Sequence, residues 1–326
     1  SVFNAKPILD LSIVIWTTTP WTIPSNVAVC VNKNITYVLV ESSQGNLIIA
    51  EDLLDDCSQR WGMELKVLGR TTGNSLANLS LQHPLYQRES KVLLGDHVTT
   101  ENGTGCVHTA PAHGLDDYFI CIKHKLESIK ALDNRGIFKE EYGSLAGMST
   151  KKGDPVVIEL LQDANALIAT KEYEHSYPHC WRHKTPLIFM ATPQWFISMK
   201  KSGLVEGAIN AVSQVTWEPE WGAQRILSML EDRPDWCISR QRNWGVPIPL
   251  IIHRETGDIH PKQNILFNEI ADVIEQEGIE GWDNLDLTTL IDDADQYTKV
   301  RDTLDVWFDS GVTHMCVLDK LYGADV

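Results

Sequence analysis

The chain has 326 residues, of which 43% are hydrophobic and 22% charged, so it is long enough for two domains with a sizeable core. Its apolar runs, such as residues 13–16, are too short to span a bilayer. Acidic residues (44) outnumber basic ones (28), and the net charge of −16 excludes a generally basic nucleic-acid-binding surface. Any nucleic acid would have to bind at a local patch.

The seven cysteines are scattered, and no two of them form a C-x-x-C pair. This pattern favours neither a disulfide scaffold nor a four-thiolate zinc site, and it agrees with a reducing compartment. The chain begins SVFNAKPILD, without an initiator methionine or the regions of a signal peptide. We therefore expect it to be a section of a longer protein.

The first half of the chain is predicted to mix strands and helices. Short β-branched runs bounded by Gly, Asn, Pro or Ser predict strands at 12–17, 27–31, 36–41, 46–50, 65–68, 92–94 and 105–109. Helical spacing of apolar residues predicts helices at 51–61, 115–126 and 154–167, the last with Asp154 as its cap. The predicted fold class is α+β, with a barrel-like mixed β domain and surrounding helices.

The pattern changes at HSYPHCWRHKTPLIFMATPQWF, where prolines punctuate aromatic segments. We predict a domain boundary there, with one domain at 1–185 and a helical, α-β connective segment at 186–326. Within that segment the spacing predicts helices at 200–215, 223–231 and 264–277.

The stretch WTTTPWTIPSN, residues 16–26, places three threonines at the end of an apolar strand. Threonine is a common strand residue, so the triplet has a purely structural interpretation. Side chains alternate along a strand, and at most two of three neighbours would then share a face. The prolines that follow indicate an irregular turn, which could direct all three hydroxyls to one point.

A second stretch, residues 101–119, places His108 at a strand end, His113 in a tight loop, and Asp116 and Asp117 at a helix start. Across one loop, such a histidine and carboxylate could converge on a site. The structural alternative is that His113 and Asp116 cap the helix while His108 is a hydrogen-bonded core residue. The residues alone leave both interpretations open.

Six motifs, in one order, cover nearly the whole chain: WTTTPWTIPSN, GTGCVHTAPAHGLDDY, HSYPHCWRHKTP, ATPQWF, DWCISRQRNWGVPIP and DTLDVWFDSG. Together they resemble the isoleucyl-tRNA synthetases of class I. The Thr-Thr-Thr-Pro-Trp form is specific, because the valyl and leucyl relatives carry a Thr-Thr-Arg-Pro type motif there. The His-x-Gly-His and Lys-Met-Ser-Lys-Ser type motifs for ATP do not occur in this sequence. The resemblance therefore implies an excised editing (connective peptide) region that does not activate an amino acid.

By this resemblance, residues 1–185 would hydrolyse valyl-tRNA(Ile) formed in error, by attack of water on the aminoacyl ester. The implied catalytic residues are Asp117, which holds the substrate ammonium, Thr18, and His108, as a wall of the side-chain pocket or as a base. The implied substrate-binding residues are Thr17, Thr19, Trp16, Asn26, His113 and Asp116, with Asn26 near the terminal nucleotide.

The implied partners are the 3′ acceptor end of tRNA(Ile) carrying valine and the rest of the synthetase chain. We expect a cytoplasmic monomer without a membrane partner, cofactor or metal. Some relatives have Cys-x-x-Cys as half of a zinc site where this chain has Cys180 and His183. Two alternatives remain: a noncatalytic module that docks the acceptor end of tRNA, and an editing domain of the valyl type.

Overall fold

The computed structural model describes residue 3 and residues 11–174, 176–231 and 233–323. The chain divides into two compact units, Ser1–Thr192 and Pro193–Val326. Within the described residues, no helix is both long and apolar enough to cross a membrane.

The first unit contains a four-stranded sheet whose strand order is β1-β4-β3-β5. Its strands are β1 (Leu11–Ile13), β3 (Thr36–Ser42), β4 (Gly45–Ala50) and β5 (Lys66–Thr72). The central pair β3 and β4 is buried over continuous apolar runs, as expected for strands covered on both faces. This sheet supplies most of the largest apolar cluster in the unit.

A second four-stranded sheet has the order β6-β7-β2-β8. Its strands are β2 (Ala28–Val31), β6 (Ser80–Gln82), β7 (Glu89–Leu94) and β8 (Val107–Thr109). Strand β2 pairs in parallel with β7 and antiparallel with β8, where Val29 lies opposite His108. A single parallel bridge between Trp16 and Val107 connects the chain after β1 with β8.

The mixed α and β character is confirmed, but the predicted barrel is not. In the described part of the chain, edge strands β5 and β6 do not pair with each other, so the two sheets remain open. A barrel requires every edge to be hydrogen-bonded to a neighbour.

The helices of the first unit are α1 (Leu54–Trp61), α2 (Gly73–Leu76), α3 (Leu115–Lys123) and α4 (Thr150–Asp163), with 3₁₀ segments at Pro20–Ser25, Glu51–Leu53 and Glu140–Leu145. Helix α3 carries Asp116 and Asp117 in its first turn, as predicted. Helix α4 begins directly after Ser149, and its first residue lies four positions before the predicted start at Asp154.

The second unit has helices α5 (Leu204–Val212), α6 (Trp221–Glu231), α7 (Gln263–Glu277), α8 (Ile279–Asn284), α9 (Val306–Gly311) and α10 (Asp319–Tyr322). Its short strands form three pairs: β9 (Phe196–Ile197) with β10 (Trp236–Cys237), β11 (Ser239–Arg240) with β14 (Thr303–Leu304), and β12 (Ile251–His253) with β13 (Tyr297–Lys299). Its core packs around the buried Trp282. Arg240 donates a 2.7 Å hydrogen bond to Asp305.

Candidate functional site

A cavity of about 400 Å³ opens in the first unit, beside the chain that follows β1. One wall comes from the threonine triplet, which is Thr17, Thr18 and Thr19, and the other from the chain around β8 and the start of α3. Of the predicted site residues, the cavity is lined by Trp16, Thr17, Thr18, Thr19, His108, His113 and Asp117.

All three threonines line this one cavity, which a regular strand would not allow. The backbone turns sharply, because the Thr17 hydroxyl accepts from the Thr19 amide at 3.0 Å. The Thr17 and Thr19 hydroxyls lie 3.3 Å apart. Thr18 is exposed, and its hydroxyl has no hydrogen-bond partner among the described residues. It is therefore free to bind a ligand.

Both ring nitrogens of His108 are hydrogen-bonded. Asn26 Nδ2 lies 2.8 Å from His108 Nδ1, and the Asn26 amide is oriented by donating to the Ala28 carbonyl and accepting from the Ser90 hydroxyl. His108 Nδ1 must therefore accept. Thr22 Oγ1 lies 2.9 Å from His108 Nε2 and donates its own proton to the Thr19 carbonyl. Nε2 consequently carries the ring proton and donates to Thr22.

Burial lowers the pKa of His108 to about 3. The imidazole is therefore neutral near pH 7, and the lone pair that a base needs is already taken by Asn26. A neutral ring fixed at both nitrogens is suited to form a rigid wall of the cavity rather than to accept a proton.

Asp117 is the half-buried carboxylate of the cavity. Its Oδ2 accepts from the Ala110 amide at 2.9 Å, while Oδ1 has no hydrogen bond and no ion pair within the part of the chain described. Burial raises the pKa of Asp117, although the Ala110 hydrogen bond and the nearby His97 oppose this. A ligand cation would relieve the desolvation of this carboxylate.

Gly114 leaves the space that Asp117 occupies. A Cβ at Gly114 would lie 2.7 Å from Asp117 Oδ2, closer than van der Waals contact permits. His113, one residue earlier, lines the cavity with its ring tied between the Ser25 hydroxyl and the Phe189 carbonyl, at 3.0 Å each.

Two predicted site residues do not reach the cavity. Asn26 is buried, and its side-chain amide hydrogen-bonds the imidazole of His108. Asp116, next to Asp117 on the first turn of α3, is exposed and is not among the residues that line the cavity.

The cavity also contains residues that the sequence patterns did not indicate: Thr22, His97, Thr99, Glu101 and Asn102. For Thr99, Glu101 and Asn102, the signal that could have located them is the glycine pair that follows directly. Gly103 and Gly105 have φ angles of +81° and +72°, and a Cβ on Gly105 would lie 2.3 Å from that of Ala50. This tight fold of the chain turns the preceding polar residues toward the threonine triplet.

Cys180 and His183 lie beside each other, with 3.4 Å between the sulfur and His183 Nδ1. The His183 amide also points at the sulfur, and these contacts lower the pKa of the Cys180 thiol. Among the described residues, no group of three or more metal-ligating side chains comes together.

The chain belongs to the family described as tRNA synthetases class I (I, L, M and V), whose sequence pattern matches residues 10–323. Within the family it is similar to isoleucine–tRNA ligases: it is 49% identical to that of Idiomarina loihiensis over 322 residues, which are 96% of this chain and 34% of the relative. It is 52% identical to that of Coxiella burnetii over 312 residues, which are 94% of this chain and 33% of the relative.

The chain therefore spans about a third of the length of the relatives it matches. Among solved structures, it is similar to the P. knowlesi cytosolic leucyl-tRNA synthetase editing domain, with 13% identity and a TM-score of 0.39. That similarity covers 47% of this chain and 82% of the other.

Proposed function

We propose that the cavity hydrolyses valyl-tRNA(Ile), as the editing site of an isoleucyl-tRNA synthetase in the cytoplasm. The observation that carries this proposal is the carboxylate of Asp117, which is half-buried in the cavity and forms no ion pair among the described residues. An aminoacyl ester has a free α-ammonium group, and a carboxylate with a free oxygen is its natural partner.

In this proposal, Asp117 holds the ammonium and thereby places the ester carbonyl between the threonine triplet and β8. A water molecule attacks the carbonyl carbon, the bond to the ribose oxygen breaks, and that oxygen takes up a proton as valine leaves. The free Thr18 hydroxyl is the group best placed to bind the developing oxyanion or the attacking water. An aminoacyl ester is already activated, so positioning supplies much of the acceleration.

Selection against isoleucine follows from the wall that His108 forms. An apolar pocket that binds one amino acid discriminates only weakly against another that is one methylene smaller. Isoleucine and valine are the standard example of this limited discrimination. A second, smaller site excludes the larger side chain instead. The hydrogen bonds from Asn26 and to Thr22 keep the His108 ring from moving aside, so the pocket can exclude an extra methylene by steric clash.

The test is Asp117→Asn in the complete polypeptide that contains these residues, with deacylation of valyl-tRNA(Ile) as the readout. The amide oxygen can still accept from Ala110, so the change removes the charge and keeps the geometry. Loss of a desolvated charge pair is worth about 2–5 kcal/mol, so kcat/KM should fall by at least tenfold. Isoleucylation should be retained.

Asp116→Asn is the matched control, because Asp116 is the exposed neighbour on the same helix turn. It should leave deacylation within about twofold of the unchanged protein. Equal losses in both variants would refute the role of Asp117. A complete polypeptide that binds charged tRNA without hydrolysing it would support the docking alternative.

A further inference from the structure

We infer that Asp154, on helix α4 and outside the cavity lining, is a positioning residue for the threonine triplet. The inference rests on the proposed hydrolysis and names a residue that controls it. Asp154 Oδ1 accepts a 2.8 Å hydrogen bond from the backbone amide of Trp21, which is 133 residues away in the sequence. Trp21 lies in the 3₁₀ segment Pro20–Ser25, directly after the triplet.

The Trp21 amide is one that a helix start leaves without an internal partner. The first N–H groups of a helix have no carbonyl before them, and Pro20 at the first position has no N–H at all. The residue before a helix usually supplies the missing acceptor when it is Ser, Thr, Asp or Asn. Here that residue is Thr19, and its side chain makes no such bond.

The carboxylate of Asp154 therefore accepts the hydrogen bond that the Thr19 hydroxyl would otherwise accept. Because Asp154 takes the Trp21 amide, the Thr19 hydroxyl lines the cavity and lies beside that of Thr17. The next amide, that of Thr22, bonds to the Thr19 carbonyl. Without the Asp154 acceptor, Thr19 has a strong local reason to rotate its hydroxyl onto the Trp21 amide and out of the site.

Helix α4 is fixed firmly enough to hold this carboxylate in place. Val157 and Leu161, one and two turns further along, pack with Trp21 in one apolar cluster. Gly153 lies against the ring of Phe138 so closely that a Cβ there would be 2.5 Å from a ring carbon. The face of α4 that carries Asp154 thus packs against the 3₁₀ segment, and this packing holds the two partners of the hydrogen bond together.

The test compares Asp154→Ala with Asp154→Asn in the complete polypeptide, by steady-state deacylation of valyl-tRNA(Ile). Asparagine keeps an acceptor for the Trp21 amide, so its kcat should stay within about threefold of the unchanged protein. Alanine should lower kcat by about tenfold to a hundredfold, with KM changed less, as expected when a polar group of the site is misplaced. Asp163→Ala, at the exposed end of the same helix, is the matched control and should have no effect.

A double-mutant cycle with Thr19→Val separates positioning from a general loss of structure. If Asp154 acts through the Thr19 hydroxyl, Asp154→Ala should have little further effect on kcat once that hydroxyl is gone. A full additional loss in the Thr19→Val background, or an Asn variant as impaired as the Ala variant, would overturn the inference. Absence of hydrolysis in the unchanged polypeptide would instead refute the proposed function.

Discussion

Replacing His108 by alanine tests whether the ring is the wall of the sieve. The change removes an imidazole from the cavity lining together with its hydrogen bonds to Asn26 and Thr22. Each bond contributes about 1 kcal/mol net, so the free energy of unfolding should fall by about 2–4 kcal/mol once the lost packing is included. The cavity would gain the volume of a five-membered ring, more than the single methylene that distinguishes isoleucine from valine.

The effect on specificity follows from the same geometry. Overpacking a rigid pocket costs about 1–3 kcal/mol, so its relief should raise hydrolysis of isoleucyl-tRNA by roughly tenfold to a hundredfold. Hydrolysis of valyl-tRNA should fall less, because Asp117 and the threonine triplet remain. Single-turnover deacylation of both charged tRNAs by one protein preparation measures the ratio directly.

His83→Ala is the matched control for lost stability. His83 is a buried histidine whose nitrogens are also both bonded, to the Ile23 carbonyl and to the Leu85 and Tyr86 amides, but it lies outside the cavity lining. It should lower stability without changing the ratio of the two rates. If His108→Ala instead slows both esters equally, His108 acts in the chemistry; if neither rate changes, it is structural.

Thr18→Val should lower the rate of deacylation at least tenfold and change the free energy of unfolding by less than about 0.5 kcal/mol. Thr17→Val should lower the free energy of unfolding by about 1 kcal/mol, because the Thr17 hydroxyl accepts a hydrogen bond from the Thr19 amide. Denaturant titration measures the free energy of unfolding, and a deacylation assay measures the rate. Acid should also destabilise the fold. Burial lowers the pKa of His108 to about 3 and that of His83 to about 4, below the ordinary value of about 6.5 in the unfolded chain. The unfolded state therefore binds protons that the folded state does not, and stability falls as the pH drops below about 6.5, by about 2 kcal/mol per histidine at pH 5. Equal unfolding free energies at pH 7 and pH 5 would contradict this.

The resemblance of the motifs, and not their spacing alone, predicted that the threonine triplet, His108 and Asp117 share one site, and all of them line the cavity. The observed bounds of β3 and β4 are close to the predicted ones, since continuous apolar runs such as that of β4 have few alternatives to burial. The predicted strand at 12–17 was wrong at its end, because β1 stops at Ile13.

The orientation of the Asn26 side chain could not be predicted from the residues next to it in the sequence. Its burial depends on acceptors and donors at Ser90 and His108, which are far from it in the sequence. The same holds for Asp154, whose Asp-Pro step suggested the cap of its own helix. It caps a different element, and that pairing exists only once α4 has packed against Trp21.

The site is assembled from segments that are synthesised far apart. The hairpin of β3 and β4 closes through a short turn and is expected to form early, because short loops lose little entropy on closing. The cavity can form only after β8 and α3 have been synthesised, because they supply the wall opposite the threonine triplet. It also requires α4, which accepts the hydrogen bond from the Trp21 amide. In a nascent chain that ends before α4, the three threonines are therefore expected to be present but not yet arranged around the cavity.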